Sequence, residues 1–248
     1  MHEQVTIVAA HGNGGGGLRF AAVHEHLPAD VSLRAPTLPG FPDVPADPQL
    51  TTLAAYADVL AGHVAAAPRP RVLLGHGIGG SLALTALADG GVDVDGLILH
   101  APVGTRLDTR WLPRLMRLPG ATGLLAAVLA SAPARPLLRR LAFVAPVDID
   151  SARRLLAGYG RCPAFGHMFD LIDADWFTRL PPLDVPAVLL WGGRERILGV
   201  DQVEDYTRLL PGADVAVVDG WDHFPMLDDP RGYADRIAGL ARRLVTAR

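Results

Sequence analysis

Residues 72–80 read Val72-Leu73-Leu74-Gly75-His76-Gly77-Ile78-Gly79-Gly80. A short apolar run enters a glycine-rich turn, and Ile78–Leu87 then continues as a helix. Glycines at such a junction permit a sharp reversal and let the helix pack close to neighbouring strands. The turn alone suits two roles. One is phosphate binding at the helix N-terminus. The other is a nucleophile elbow, G-x-S-x-G, which lifts a serine off the end of a sheet. The spacing is that of the elbow, but the middle position holds Gly77.

Outward from this turn, short apolar runs alternate with longer segments of helical period, the pattern of a parallel sheet covered by helices. Strands are predicted at Val5–Ala10, Val31–Ala35, Val72–Leu74, Leu97–Leu99, Val188–Trp191 and Val215–Val218. Each is apolar on both faces, as for strands buried on both sides. Helices are predicted at Thr51–Ala66, Ile78–Leu87, Asp201–Leu210 and around Tyr233–Leu244. From about Gly104 to Leu183 no strand is evident. Ala121–Ala130, Pro136–Phe143 and Ser151–Tyr159 suggest a helical insertion there, rich in Leu115, Met116, Phe143, Phe165, Met168, Phe169, Trp176 and Phe177.

Composition narrows the classes. The chain has 248 residues, half of them apolar and 20% charged, which excludes intrinsic disorder. Net charge is −3, with a pI of about 6.3, which argues against a nucleic-acid binder. All 23 basic residues are arginine, so lysine Schiff bases and phosphate-loop lysines are excluded. A single cysteine, Cys162, excludes internal disulfides and cysteine-based metal sites. The N-terminus lacks the basic start and long apolar core of a signal peptide. No apolar run reaches the ~20 residues of a membrane span. A cytoplasmic protein without a membrane partner is expected.

Five segments carry a family resemblance. His11-Gly12-Asn13-Gly14-Gly15 resembles an HG oxyanion loop. Pro36-Thr37-Leu38-Pro39-Gly40-Phe41 resembles a P-D-L-P-G-F loop, with Thr37 for the usual Asp. Gly75–Gly80 is the elbow. Trp191-Gly192-Gly193-Arg194-Glu195-Arg196-Ile197 resembles the W-G-x-x-D-x-I segment that carries an acid. Asp222-His223-Phe224-Pro225-Met226-Leu227-Asp228-Asp229-Pro230 resembles the segment that carries a catalytic histidine. Their order is that of the α/β-hydrolase fold superfamily. The resemblance covers nearly the whole chain. It implies a core at 1–103 and 184–248, with a mainly parallel sheet of about six strands and helices on both faces. Residues 104–183 would form a helical cap. The usual N-terminal strand pair is expected to be absent.

The resemblance assigns His223 as catalytic histidine and Glu195 as its acid, with Gly77 at the nucleophile position. An acyl-enzyme cannot form at Gly77, because it offers no oxygen. The N–H of Ile78, with that of Asn13 or Gly14, would form the oxyanion hole. His223 would then act as general acid or base on water or on the substrate. The chemistry would be non-covalent: water-mediated hydrolysis, C–C cleavage, or a cofactor-free lyase or cyclase step on a mostly apolar carbonyl compound. His100, His76, Trp176 and Met168 are candidate substrate contacts. Arg106, Arg110 and Arg114 are candidates for holding a carboxylate or phenolate at the cap entrance, or form a solvated face. No metal or other cofactor is expected, since no histidine pair has ligand spacing. Ser81 reads as a packing residue, Cys162 as an incidental thiol, and His167 as a weaker substrate candidate. Asp222 reads as a loop residue, and Asp228 and Asp229 as helix caps. Two alternatives remain: a non-catalytic ligand binder on this fold, and a serine esterase inactivated by Ser-to-Gly replacement.

Overall fold

Short apolar segments bury best in the middle of a sheet, and here they form six strands. A computed structural model describes residues 4–109, 111–133, 137 and 149–246. The strands are β1 (Val5–Ala10), β2 (Val31–Arg34), β3 (Arg71–His76), β4 (Gly96–His100), β5 (Ala187–Gly192) and β6 (Asp214–Val218). Their order is β2-β1-β3-β4-β5-β6, with every pair parallel. Each matches a predicted run. The expected burial on both faces holds for β1, β4 and β5 but fails at the edges. In β6, Val215 and Val217 are 49% and 45% exposed while Ala216 is buried. Alternate residues face opposite sides of a strand, so one face of this edge strand is left uncovered.

The helices are α1 (Ala21–His24), α2 (Leu53–Ala65), α3 (Ile78–Ala88), α4 (Trp111–Met116), α5 (Ala121–Ala130), α6 (Ile149–Tyr159), α7 (Ala164–Leu171), α8 (Val203–Leu209), α9 (Pro225–Asp228) and α10 (Pro230–Thr246). The hydroxyl of Thr52 accepts from the Ala55 N–H at 3.1 Å and starts α2. One apolar cluster joins Leu60 of α2, Leu82 of α3 and Tyr206 of α8 to Leu97 and Leu189 of the sheet. A second joins Val23 of α1 and Tyr233 and Ile237 of α10 to Ile7, Val72 and Ile98. Neighbouring strand residues thus feed opposite cores, and helices cover both faces.

Helices α4–α7 fill the connection from β4 to β5, which contains no strand among the described residues. The expected helix at Pro136–Phe143 and the candidate Arg110 lie outside the described residues. No described helix is long and apolar enough to cross a membrane.

Strand order positions the site. β1 lies between β2 and β3, so the chain leaves it in opposite directions on its two sides. Loops that diverge at such a switch point open a crevice at the carboxyl ends of the strands. His11–Gly17 follows β1 there, and Gly77 follows β3.

Candidate active site

Gly77 has φ 56° and ψ −121°, in the left-handed half of backbone space that favours glycine. Its N–H donates to the His100 carbonyl at 3.2 Å. Its own carbonyl accepts from Val103 and Gly80 at 3.0 and 3.1 Å. A Cβ placed here would meet only the Gly12 Cα, at 3.4 Å. A Cβ on Gly79 would collide with the Ala10 carbonyl, because α3 packs hard against the end of β1. The turn therefore has room for a side chain at 77 and none at 79.

Glu195 follows β5 and His223 follows β6. His223 Nδ1–H donates to Glu195 Oε2 at 2.7 Å. Glu195 Oε1 accepts from the Ile197 and Leu198 N–H groups at 2.7 and 3.0 Å, and the side chain is wholly buried. Burial pushes its pKa up. The His223 charge and the hydrogen bonds from His223, Leu198 and Ile197 outweigh that and hold it at about 2. Glu195 is thus an ionised partner of His223, not a member of an exposed cluster with Arg194 and Arg196. The bond to Glu195 occupies Nδ1. Nε2 makes no hydrogen bond within the described residues.

His76 stacks between His223 and His100, with ring centroids 4.6 and 4.8 Å away. Its Nδ1 accepts from Arg19 Nη1 at 3.0 Å, and its Nε2–H donates to the His223 carbonyl at 3.0 Å. Arginine only donates and a carbonyl only accepts, so this tautomer is forced. Both ring nitrogens of His76 are spent on the protein. His100 is fully buried, with Nδ1 3.1 Å from the Tyr233 hydroxyl and Nε2 without a partner among the described residues. Burial lowers the His100 pKa to about 3 and that of His76 well below its usual value, so both rings are neutral. Trp176 packs over Gly104 and beside Phe177, and Met168 is fully buried in the core. Neither belongs to the network around His223. His167 lies 3.1 Å from the Leu50 carbonyl.

The glycine-rich loop is tied down from several sides. His11 Nδ1–H donates to the Gly12 carbonyl at 3.0 Å, and its Nε2 accepts from Leu38 N–H at 3.1 Å. The Thr37 hydroxyl accepts from Gly17 N–H at 2.9 Å, a role for the residue that departs from the family pattern. Asn13 Nδ2 donates to the Phe165 carbonyl of α7 at 3.0 Å, and the Asn13 carbonyl accepts from Arg19 Nη2 at 3.1 Å. The N–H groups of Phe165, Gly14 and Ala164 lie around the Cys162 sulfur, while burial raises that thiol's pKa to about 11. The Asn13 carbonyl faces Arg19, so the Gly14 N–H of the same peptide plane points the other way, and Asn13 N–H stays the loop's candidate donor with Ile78 at the start of α3. The raised pKa makes Cys162 a poor nucleophile.

The remaining candidates have structural roles. Ser81 Oγ donates to the Val103 carbonyl at 2.7 Å. Asp222 Oδ1 accepts from Phe224 N–H at 2.8 Å. Asp229 accepts from Gly232 N–H at the start of α10 and from Trp221 Nε1. A groove of about 550 Å³, lined by Thr105, Arg106, Phe177, Asp205 and Arg208 among others, contains the candidate Arg106 but none of His223, Glu195, Gly77, Asn13, Ile78, His76, His100, Trp176 or Met168. Arg106 is itself paired with Asp201 and Asp205. Among the described residues no group of three or more His, Cys, Asp or Glu could hold a metal ion. Arg19 and Tyr233, which touch His76 and His100, were not singled out by the sequence.

The Alpha/beta hydrolase family model matches residues 7–236, and the chain belongs to that family. A pimeloyl-acyl-carrier-protein methyl ester esterase from Aromatoleum aromaticum is 29% identical over 255 residues, covering 95% of this chain and 98% of that protein. MenH from S. aureus superposes with a TM-score of 0.75 at 16% identity, over 98% of this chain and 96% of that one. A thermophilic esterase from Thermogutta terrifontis gives 0.70 at 21%, over 98% and 91%. The two structural likenesses concern the fold alone.

Proposed function

We propose that this chain is a hydrolase that works without a side-chain nucleophile. His223 serves as general base and acid, Glu195 orients it, and the N–H groups of Asn13 and Ile78 form the oxyanion hole. Helices α4–α7 serve as the cap over a mostly apolar carbonyl substrate. The observation that carries this is the 2.7 Å contact from His223 Nδ1 to Glu195. It leaves Nε2 as the reactive nitrogen, beside a turn whose residue supplies no oxygen.

The likeness to a methyl ester esterase favours water-mediated ester hydrolysis over C–C cleavage or a lyase or cyclase step. His223 Nε2 takes a proton from water as the water oxygen bonds to the ester carbon. The carbonyl π pair moves onto oxygen and is met by the two N–H groups. When the intermediate collapses, the C–O bond to the alcohol breaks and His223 returns the proton to the leaving oxygen. Glu195, ionised throughout, favours the imidazolium formed between these steps.

A second reading is a serine esterase lacking its serine. It is favoured by the unobstructed Cβ direction at Gly77. One experiment separates the cases: turnover of p-nitrophenyl butyrate and a medium-chain methyl ester by the unsubstituted chain, His223→Ala and Gly77→Ser. Turnover by the unsubstituted chain that falls by about 10²–10⁴ in His223→Ala supports the proposal. Equal turnover in both overturns it. Turnover that arises only in Gly77→Ser selects the second reading. Ligand binding without turnover in any variant selects a binder.

A further inference from the structure

Arg19 is a cation in an unusual place. It is 3% exposed, and no acidic side chain pairs with it among the described residues. Burial lowers its pKa, while the neighbouring Tyr159, Cys162 and Tyr233 raise it. A guanidinium nevertheless stays charged. An unpaired buried charge is costly, so each contact it does make has consequences. Nη1 donates to His76 Nδ1, Nη2 donates to the Asn13 carbonyl, and the guanidinium lies 5.9 Å from the Phe224 ring centroid.

We infer that Arg19 is the positioning residue of the candidate site, setting the glycine-rich loop through Asn13 and the His223 loop through His76. The purpose of this arrangement rests on the function proposed above; the bonds themselves do not. On the Asn13 side, a trans peptide points its carbonyl and its N–H in opposite directions. Holding the Asn13 carbonyl toward Arg19 turns the Gly14 N–H to the opposite side of that peptide plane. The donor left over is the Asn13 N–H, one peptide earlier. On the His76 side, Arg19 donates to Nδ1 and so, together with the accepting His223 carbonyl, holds the ring in place with its proton on Nε2. A His76 protonated on Nδ1 would lose that bond. One fixed side chain therefore couples the loop that meets negative charge to the loop that carries the base. Its own positive charge adds to the stabilisation of an oxyanion nearby.

The test reads the bonds in the full chain. With uniformly ¹⁵N-labelled protein at pH 7.5, His76 is expected as the Nε2–H tautomer. In Arg19→Met the His76 Nδ1 loses its donor and its ¹⁵N resonance moves, and the Gly14 amide resonance moves. In Arg19→Lys one ammonium on a shorter reach keeps at most one of the two signals at its original position. Where the unsubstituted chain turns over p-nitrophenyl butyrate, Arg19→Met lowers kcat about tenfold or more with KM within about twofold, as for a group acting in the transition state. An Nδ1–H His76 in the unsubstituted chain overturns the inference. So does a folded Arg19→Met in which both resonances are unchanged. If Arg19→Met does not fold, the unsubstituted tautomer and the lysine variant decide. Absence of ester turnover with the expected tautomer counts against the proposed reaction and not against this assignment.

Discussion

His76 donates its Nε2–H to the backbone carbonyl of His223 across 147 positions of sequence, at 3.0 Å. The residue before the elbow glycine thus holds the candidate base directly. His223 is fixed at its side chain by Glu195 and at its main chain by His76, so its ring is oriented before any substrate arrives. Such preorganisation is worth most where charge develops in a water-poor site.

Glu195→Gln is expected to keep the fold, because the amide oxygen can still accept from Ile197 or Leu198. It removes the ion that favours the His223 imidazolium. Turnover should fall by about 10²–10⁴ with KM little changed. Steady-state kinetics on p-nitrophenyl butyrate check this, and unchanged kcat would refute the orienting role.

Gly77→Ala and Gly79→Ala should differ sharply. The first places a Cβ 3.4 Å from Gly12 Cα on a left-handed backbone, at a cost of about 1–2 kcal/mol. For a chain of this size that lowers Tm by about 2–4 °C per kcal/mol. The second drives a methyl into the Ala10 carbonyl and should lower Tm by more than three times as much, or prevent folding. Thermal denaturation of the pair decides, and equal Tm values would contradict the packing of α3 on β1.

Acid should unfold this chain early. His11 and His100 are each held at about 3 by burial, against an ordinary 6.5. The unfolded chain takes up two protons in that interval that the folded chain refuses. Their contribution is therefore fully present above pH 6.5 and is lost as pH falls toward 3. The slope approaches about 2.7 kcal/mol per pH unit from these two. His76, also lowered, acts in the same direction, and Glu195 adds to it as pH falls from 4.5 toward 2. Urea midpoints measured from pH 7 to pH 4 should drop steeply, and a flat profile would show that these rings are not buried neutral.

Thr37→Val keeps the shape of the side chain but leaves the Gly17 N–H without its acceptor. An unsatisfied, partly buried N–H costs about 1–3 kcal/mol. Chemical denaturation should show a loss in that range, with the m-value unchanged. No loss would mean that the hydroxyl does not anchor the glycine run.

Most of the sheet was legible because central strands must be apolar on both faces, which is a local property of the sequence. Which strands become edges depends on the pairing order, and no local pattern in Val215–Val218 announces it. Glu195 and His223 were found because the segments that carry them keep a recognisable order after β5 and β6. The choice between Asn13 and Gly14 was not legible, since it depends on which way one peptide plane faces. Arg19 bonds the Asn13 carbonyl of that plane, and its other partner, His76, is 57 positions away. One signal was available: between Val5 and Val23 Arg19 is the only Arg, Asp or Glu, in a stretch made mostly of glycine and apolar residues. Trp176 and Met168 were chosen for their apolar bulk, which serves core packing equally well and does not reveal what a side chain meets.

The bond from Asn13 Nδ2 to the Phe165 carbonyl fastens α7 to the glycine-rich loop that follows β1. Any displacement of α7 pulls on Asn13 through this bond. The cap segment and the loop after β1 thus share a load path, so a change in one is felt by the other through a single amide.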